Sequence, residues 1–205
     1  EVTCPIDGQV FTYTTTASYS IWGRELDGLP AGSWTFSLAI PQCPGSRFPI
    51  YQDELSEAQI AAARALVATP GYQAIQNEAP YYVLHYVMTR LEEVEGIDPA
   101  WILLQATWEV RDQPETYRRY AQELVTAFDA EAEAFRSAEP DDWWWLQTFV
   151  ANVQRQAGDF QEAAARLDML EAGEPTDPDI LRRMAETRRL IAEGSAAPFS
   201  LPRDR

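Results

Sequence analysis

Apolar positions along the chain change their spacing near residue 52. Before it, short stretches such as Val10–Thr15, Tyr19–Trp22 and Trp34–Ile40 combine β-branched and aromatic residues, a content suited to strands. Gly28, Pro30, Gly32, Pro41, Pro44 and Gly45 fall between them and read as turns. After it the period becomes helical. Trp143, Leu146, Val150 and Val153 advance by three, four and three residues, which lines them up on one helix face.

Helix start and stop signals divide the second region. Ser56 with Gln59 has the form of a capping box and opens a helix to about Ala68. Pro70–Gly71 breaks it. Further helices are expected from Pro80 to about Gly96, from Asp98–Pro99 to about Val110, from Pro114 to about Ser137, from Pro140 to Gly158, over Phe160–Leu170, and from Asp177–Pro178 to about Gly194. Short connections imply antiparallel neighbours. Residues 195–205 read as a loose tail. The expected organisation is therefore a β-rich module at 1–52, a helical domain at 53–194 and a flexible tail at 195–205. The fold class is α+β, mainly α.

One internal repeat stands out. Ala151, Gly158, Asp159, Phe160, Ala163, Leu167 and Pro175 match the small residues, turn, large apolar residue and closing proline of a TPR repeat of about 34 residues. Small residues let the two helices approach, and the glycine makes the tight turn. Gln147 and Gln154 stand where TPRs favour apolar or aromatic residues, and Leu170 stands where alanine is usual. A weaker copy is seen in Trp101, Leu104 and Trp108. TPR-like antiparallel hairpins are thus expected, with an irregular helical bundle as the alternative.

The two cysteines sit in similar contexts, Cys4-Pro5-Ile6-Asp7-Gly8 and Cys43-Pro44-Gly45-Ser46. Each resembles a zinc-ribbon knuckle in which one of two cysteines has been replaced, by Asp7 in the first and Ser46 in the second. Two thiolates, a carboxylate and a hydroxyl make a poor zinc set. A ribbon brings its knuckles face to face, so the reading favours a Cys4–Cys43 disulfide over zinc at Cys4, Asp7 and Cys43; free structural thiols are the remaining alternative. Closing a loop of this length stabilises a fold by roughly 4 kcal/mol on the chain-entropy argument. It also calls for an oxidising compartment. The expected location is periplasmic or extracellular, with a leader removed before Glu1.

With these segments in view, the chain resembles a bacterial family known as domain of unknown function 2225. The resemblance rests on TCPIDGQVF at Thr3–Phe11, CPGSRFPIY at Cys43–Tyr51 leading into DELSEAQI, the GDFQEAAARL turn, and LRRMAETRRLI near the end. It implies a zinc-ribbon-like segment followed by TPR-like helices, here of the exported kind with oxidised thiols, and it implies no particular activity.

Charge narrows the function classes. The formal charge is −16, and all 16 basic residues are arginine. An acidic surface repels phosphate backbones and anionic membranes, so neither nucleic acid nor a membrane surface is expected as partner. No apolar run approaches the roughly 18 residues of a membrane span. No phosphate-binding loop, dinucleotide fingerprint, zinc-protease motif or serine-hydrolase elbow is present. His85, alone of its kind and set among Tyr81, Tyr82, Leu84 and Tyr86, reads as structural. Asp141–Asp142 before Trp143–Trp145 invites a sugar-stacking reading, but acids favour a helix N-terminus and the indoles suit helix packing.

The functional expectation is a non-catalytic interaction or scaffold protein. It would bind a protein or peptide with a basic segment, and the candidate contacts are Tyr81, Tyr82, Trp101, Trp108, Trp144 and Trp145. The alternatives are a hydrolase using clustered carboxylates and a subunit of a larger envelope assembly. No cofactor is expected.

Overall fold

The computed structural model describes residues 1–52, 54–91, 98–135 and 140–201. Among them lie four short strands and eight helices: β1 (Val2–Thr3), β2 (Val10–Phe11), β3 (Ile21–Arg24), β4 (Pro30–Gly32), α1 (Glu57–Val67), α2 (Pro70–Ile75), α3 (Pro80–Met88), α4 (Pro99–Glu109), α5 (Pro114–Phe135), α6 (Pro140–Ala157), α7 (Phe160–Ala172) and α8 (Pro178–Ala192). The protein is mainly helical, with two small antiparallel sheets near its N-terminus.

Local signals place most helix starts. The Ser56 hydroxyl accepts from Gln59 N while Gln59 Oε1 accepts from Ser56 N at 2.9 Å, so both halves of the capping box form. Asp98 and Asp177 cap α4 and α8, each followed by proline at the first helical position. There the missing N–H costs nothing. Thr69 does the same for α2, a short helix that starts at the Pro70–Gly71 sequence expected only as a break. The expected helix from Pro80 ends at Met88; the further residues assigned to it around Glu92–Gly96 lie outside the described residues.

The chain divides into two compact units, but not at residue 52. One comprises residues 1–19 and 35–110, the other 20–34 and 111–205. In the first, β1 pairs with β2, Val2 opposite Phe11 and Thr3 opposite Val10. Cys4 and Cys43 are bonded, with their Cα atoms 5.2 Å apart. The disulfide lies in one core with Phe48, Ala63, Tyr72, Val83 and Val87. The cysteine knuckles therefore share their interior with α1, α2 and α3 and do not form a module of their own. Fifty residues with so little secondary structure bury too little apolar surface to stand alone.

The two knuckles are built alike. Cys4 N donates to Gln9 O and Gly8 N to Cys4 O; Cys43 N donates to Phe48 O and Arg47 N to Cys43 O, all at 2.9 Å. The fourth residue after each cysteine is left-handed, Gly8 at φ 76° and Arg47 at φ 60°. The third is a turn cap: Asp7 Oδ1 accepts from Gln9 N at 3.0 Å, and Ser46 Oγ from Phe48 N at 3.3 Å. Asp7 and Ser46 thus close equivalent turns locally with their own side chains.

Trp34–Ile40, expected as a strand, has no ladder partner. Two of its carbonyls are taken by tyrosine hydroxyls instead. Tyr81 Oη donates to Leu38 O at 2.9 Å and Tyr13 Oη donates to Ala39 O. Pro30–Gly32, read as turn residues, is the strand that pairs with β3.

In the second unit α6 packs against α5, α7 and α8. Ala151, Leu167, Leu170, Ile180 and Met184 form its apolar core, with Trp143 and Trp144 against them. Gln147 and Gln154, which depart from the repeat pattern, have a shared task. Both accept from Arg166 of α7, Gln154 Oε1 from Nε at 3.0 Å. Arg166 also grips Asp129 of α5 through both terminal nitrogens, at 2.6 and 2.9 Å. One guanidinium thus ties three helices together.

Residues 195–200 are held in place, contrary to the expectation of a loose tail. Leu26 N donates to Phe199 O at 2.9 Å, Ser200 bridges Glu25, and Arg155 Nη1 donates to Ser195 O and Ala197 O at 2.6 and 2.9 Å. Phe199 also lies beneath Arg189.

Candidate functional site

The six aromatic residues expected to meet a partner are not equivalent. Tyr81 and Tyr82 are core residues, 7% and 8% exposed, because α3 is apolar all round and packs on α4. They offer no face to a partner. Trp108 is half-buried, and its Nε1 has no acceptor among the described residues. Trp144 is half-buried against Gly173 and edge-on to Trp143, with ring centroids 4.9 Å apart. Trp101 and Trp145 do reach the surface, each 38% exposed. Trp145 stacks near Phe149, and the Arg183 guanidinium lies 4.8 Å from its ring centre. Two of the three consecutive indoles are thus committed to packing. Asp142 beside them is exposed, and the Asp141 side chain lies outside the described residues.

Sequence reasoning passed over a more exposed group. Ile21, Trp22 and Trp34 are 43%, 52% and 49% exposed on the β3–β4 hairpin and its exit. The exposure has a local cause. The hairpin pairs Ile21 with Gly32 and Gly23 with Ala31, leaving Trp22 as an extra residue in β3. Such a bulge breaks the strict in–out alternation of a strand, so neighbouring side chains Ile21 and Trp22 both face water. The available signal was Gly23 inside an apolar run, a mark of a bulge.

The other end of the hairpin is anchored. Its turn, with Gly28 at φ 81°, carries Leu26 and Asp27, which are 1% and 0% exposed. Asp27 Oδ1 accepts from Leu29 N at 3.2 Å, and Oδ2 accepts from Arg111 Nη2. Arg111 Nη1 reaches Glu25 at 2.8 Å. Burial pulls the Arg111 guanidinium down, but Asp27 and Glu25 outweigh it and leave it above its ordinary value. Arg183 Nη2 donates to Leu26 O at 2.7 Å; burial lowers this guanidinium to about 10. The turn is therefore clamped by Arg111, from the connection between α4 and α5, and by Arg183 of α8, while the aromatic end stands in solvent.

Acid–base chemistry finds less support. His85 Nδ1 lies 2.8 Å from Pro99 O, joining α3 to the start of α4. In the first unit, burial raises Glu109 to about 7, against the opposing effect of the Tyr81 N–H that donates to it at 2.9 Å. Among the described residues no three His, Cys, Asp or Glu side chains converge as metal ligands. No helix there is long and apolar enough to cross a membrane.

Compared with protein families, with curated proteins and with solved structures, the chain matches none.

Proposed function

We propose that this is a non-catalytic partner-binding protein, and that the aromatic end of the β3–β4 hairpin is its principal contact. The observation that carries the reading is the pairing of exposed Ile21, Trp22 and Trp34 with a turn clamped at Asp27. A fixed hairpin presents large apolar side chains with little conformational entropy left to lose on binding, and tryptophan is the residue most enriched among interface hot spots. The net charge of −16 favours a protein or peptide partner with a basic segment.

Two further features belong to the same reading. The α6–α7–α8 arrangement is TPR-like: Ala151 and Ala163 are fully buried where the helices approach, and Gly158 takes a left-handed turn at φ 87°. The protein works outside the cytoplasm, a reading that rests on the Cys4–Cys43 disulfide.

The test is site-specific photocrosslinking. A photoreactive side chain at Trp22 or Trp34 should yield one dominant adduct with an envelope or secreted protein. Excess wild-type protein should compete it away, and excess Trp22→Ala/Trp34→Ala protein should not. The same adduct obtained from exposed Gln161 on α7, or equal competition by the double variant, would overturn the proposal.

A further inference from the structure

In the second unit a cavity of about 290 Å³ opens between the start of α5, the end of α6 and residues 196–198. Its size is at the lower end of the range of about 300–1,000 Å³ typical of small-ligand sites. Pro114, Tyr117, Ala157, Gly158 and the Ala196–Pro198 strap give it an apolar lining. The polar groups in its wall are Arg111, Arg118 and Gln156. No carboxylate lines it, in a chain that carries 32 acidic residues.

These groups still have donors to offer. Arg118 Nε donates to Ala157 O at 3.1 Å, which fixes the guanidinium beside the end of α6. Its two terminal nitrogens have no acceptor among the described residues, and Nη2 lies 3.4 Å from where a β-carbon on Gly158 would be. Arg111 Nε is buried without an acceptor among the described residues. Gln156 Oε1 accepts from the Tyr117 hydroxyl at 2.8 Å, which leaves its amide N–H groups without an acceptor among the described residues.

The wall is pre-set at a cost. Arg155 has no solvent exposure, yet its hydrogen bonds go to neutral groups, Asn152 Oδ1 and the carbonyls of Ser195 and Ala197. Burial lowers its proton affinity. Holding a short strap could be done with an uncharged donor, and burying a cation without its own carboxylate is expensive. What the cation adds is positive potential behind the strap. Among the described groups at and behind this recess Arg111, Arg118 and Arg155 outnumber Glu25 and Asp27, so the recess is cationic within an overall acidic protein.

We infer that this recess binds a small organic anion, with its carboxylate or phosphate head on Arg118 and Gln156 and an apolar body against Tyr117, Pro114 and the 196–198 strap. A planar guanidinium matches either head group bidentately, and the apolar lining suits an organic body better than a bare inorganic ion. This inference is independent of the partner-binding reading, since the hairpin aromatics take no part in it.

Calorimetric titration with benzoate, phenyl phosphate and neutral benzamide tests it. Benzoate or phenyl phosphate should bind saturably, and the tighter of the two identifies the head group. Benzamide should bind at least about tenfold more weakly, the scale of one charge-assisted hydrogen-bonded pair. Arg118→Gln should weaken the anion about tenfold or more, and Ala197→Phe, which fills the recess, should abolish binding. Both positions are exposed, and unchanged thermal unfolding will show that each variant is folded. Equal binding of benzamide, wild-type affinity in Arg118→Gln, or no saturable binding of either anion would each overturn the inference.

Discussion

Trp144 occupies the space that a side chain on Gly173 would need. A β-carbon at that position would lie 2.2 Å from Trp144 Cη2 and 2.8 Å from Cζ2. Gly173 itself has an ordinary helical φ of −89°, so the backbone does not demand glycine there; the indole does. Gly173→Ala should therefore destabilise the second unit by about 1–3 kcal/mol, the usual cost of overpacking. A lowered urea midpoint, largely restored when Trp144→Leu is added, is the expected result. A Gly173→Ala protein as stable as the wild type would show that the indole moves aside freely.

Reduction of the buried Cys4–Cys43 bond should cost the first unit both loop-closure entropy and core packing. The bond closes a separation of 39 residues, worth roughly 4 kcal/mol on the loop-entropy argument. It also sits in the core with Phe48 and Tyr72. Guanidinium unfolding with and without reductant should show this loss, and the Cys4→Ser/Cys43→Ser protein should behave like the reduced one. Mass measurement after alkylation without reductant should find no free thiol.

Asp27 balances Arg111 where no water reaches its carboxylate. Removing one partner of a buried pair leaves the other charge uncompensated and costs about 3–5 kcal/mol. Asp27→Asn should unfold at lower denaturant by that amount. Because Leu26 of the same turn binds Phe199 and Arg183, the variant should also become sensitive to proteolysis in residues 195–201. Glu25→Gln, whose carboxylate is partly exposed beside the same arginine, should cost less than about 1 kcal/mol.

Glu109 sets a pH dependence for the first unit. Its carboxyl is raised from the ordinary 4.5 to about 7, by burial. The folded state therefore holds a proton that the unfolded chain gives up earlier. Stability contributed by this group is greatest below about pH 4.5, falls as pH rises from there to about 7, and is flat above. Glu109→Gln keeps an acceptor for Tyr81 N and has nothing to titrate. It should match the wild type near pH 4.5 and exceed it by about 3 kcal/mol at pH 8. A constant difference across this range would exclude the titration.

Trp22→Ser and Trp34→Ser should change stability by less than about 0.5 kcal/mol each, as surface substitutions do, while lowering partner capture. A large loss of stability from either would place that indole in the fold and not at the interface.

Much of the architecture was legible because its causes are local. Ser56, Asp98 and Asp177 cap helices with side chains that reach two or three residues along the chain, and proline at the first turn acts through its own ring. The Cys4–Cys43 pairing was legible because only two cysteines exist and their contexts match. Asp7 and Ser46 were visible as departures from a ribbon pattern, although their role as turn caps required the hydrogen bonds to be seen.

What only the tertiary structure decided depends on groups far apart in sequence. Residues 20–34 join the second unit because a carboxylate at position 27 meets a guanidinium 84 residues later, and no local pattern encodes that pairing. The stretch 34–40 has strand-like composition, but it pairs with no strand among the described residues, and tyrosine hydroxyls took the carbonyls of Leu38 and Ala39. Exposure divided the aromatic residues: Tyr81 and Tyr82 went inside because both faces of α3 are covered, while Trp22 turned outward at a bulge. Sequence by itself therefore determined where most helices begin and which sulfurs join. Which surfaces remained for binding was settled by long-range burial, since side chains of one chemistry are core or contact according to what folds over them.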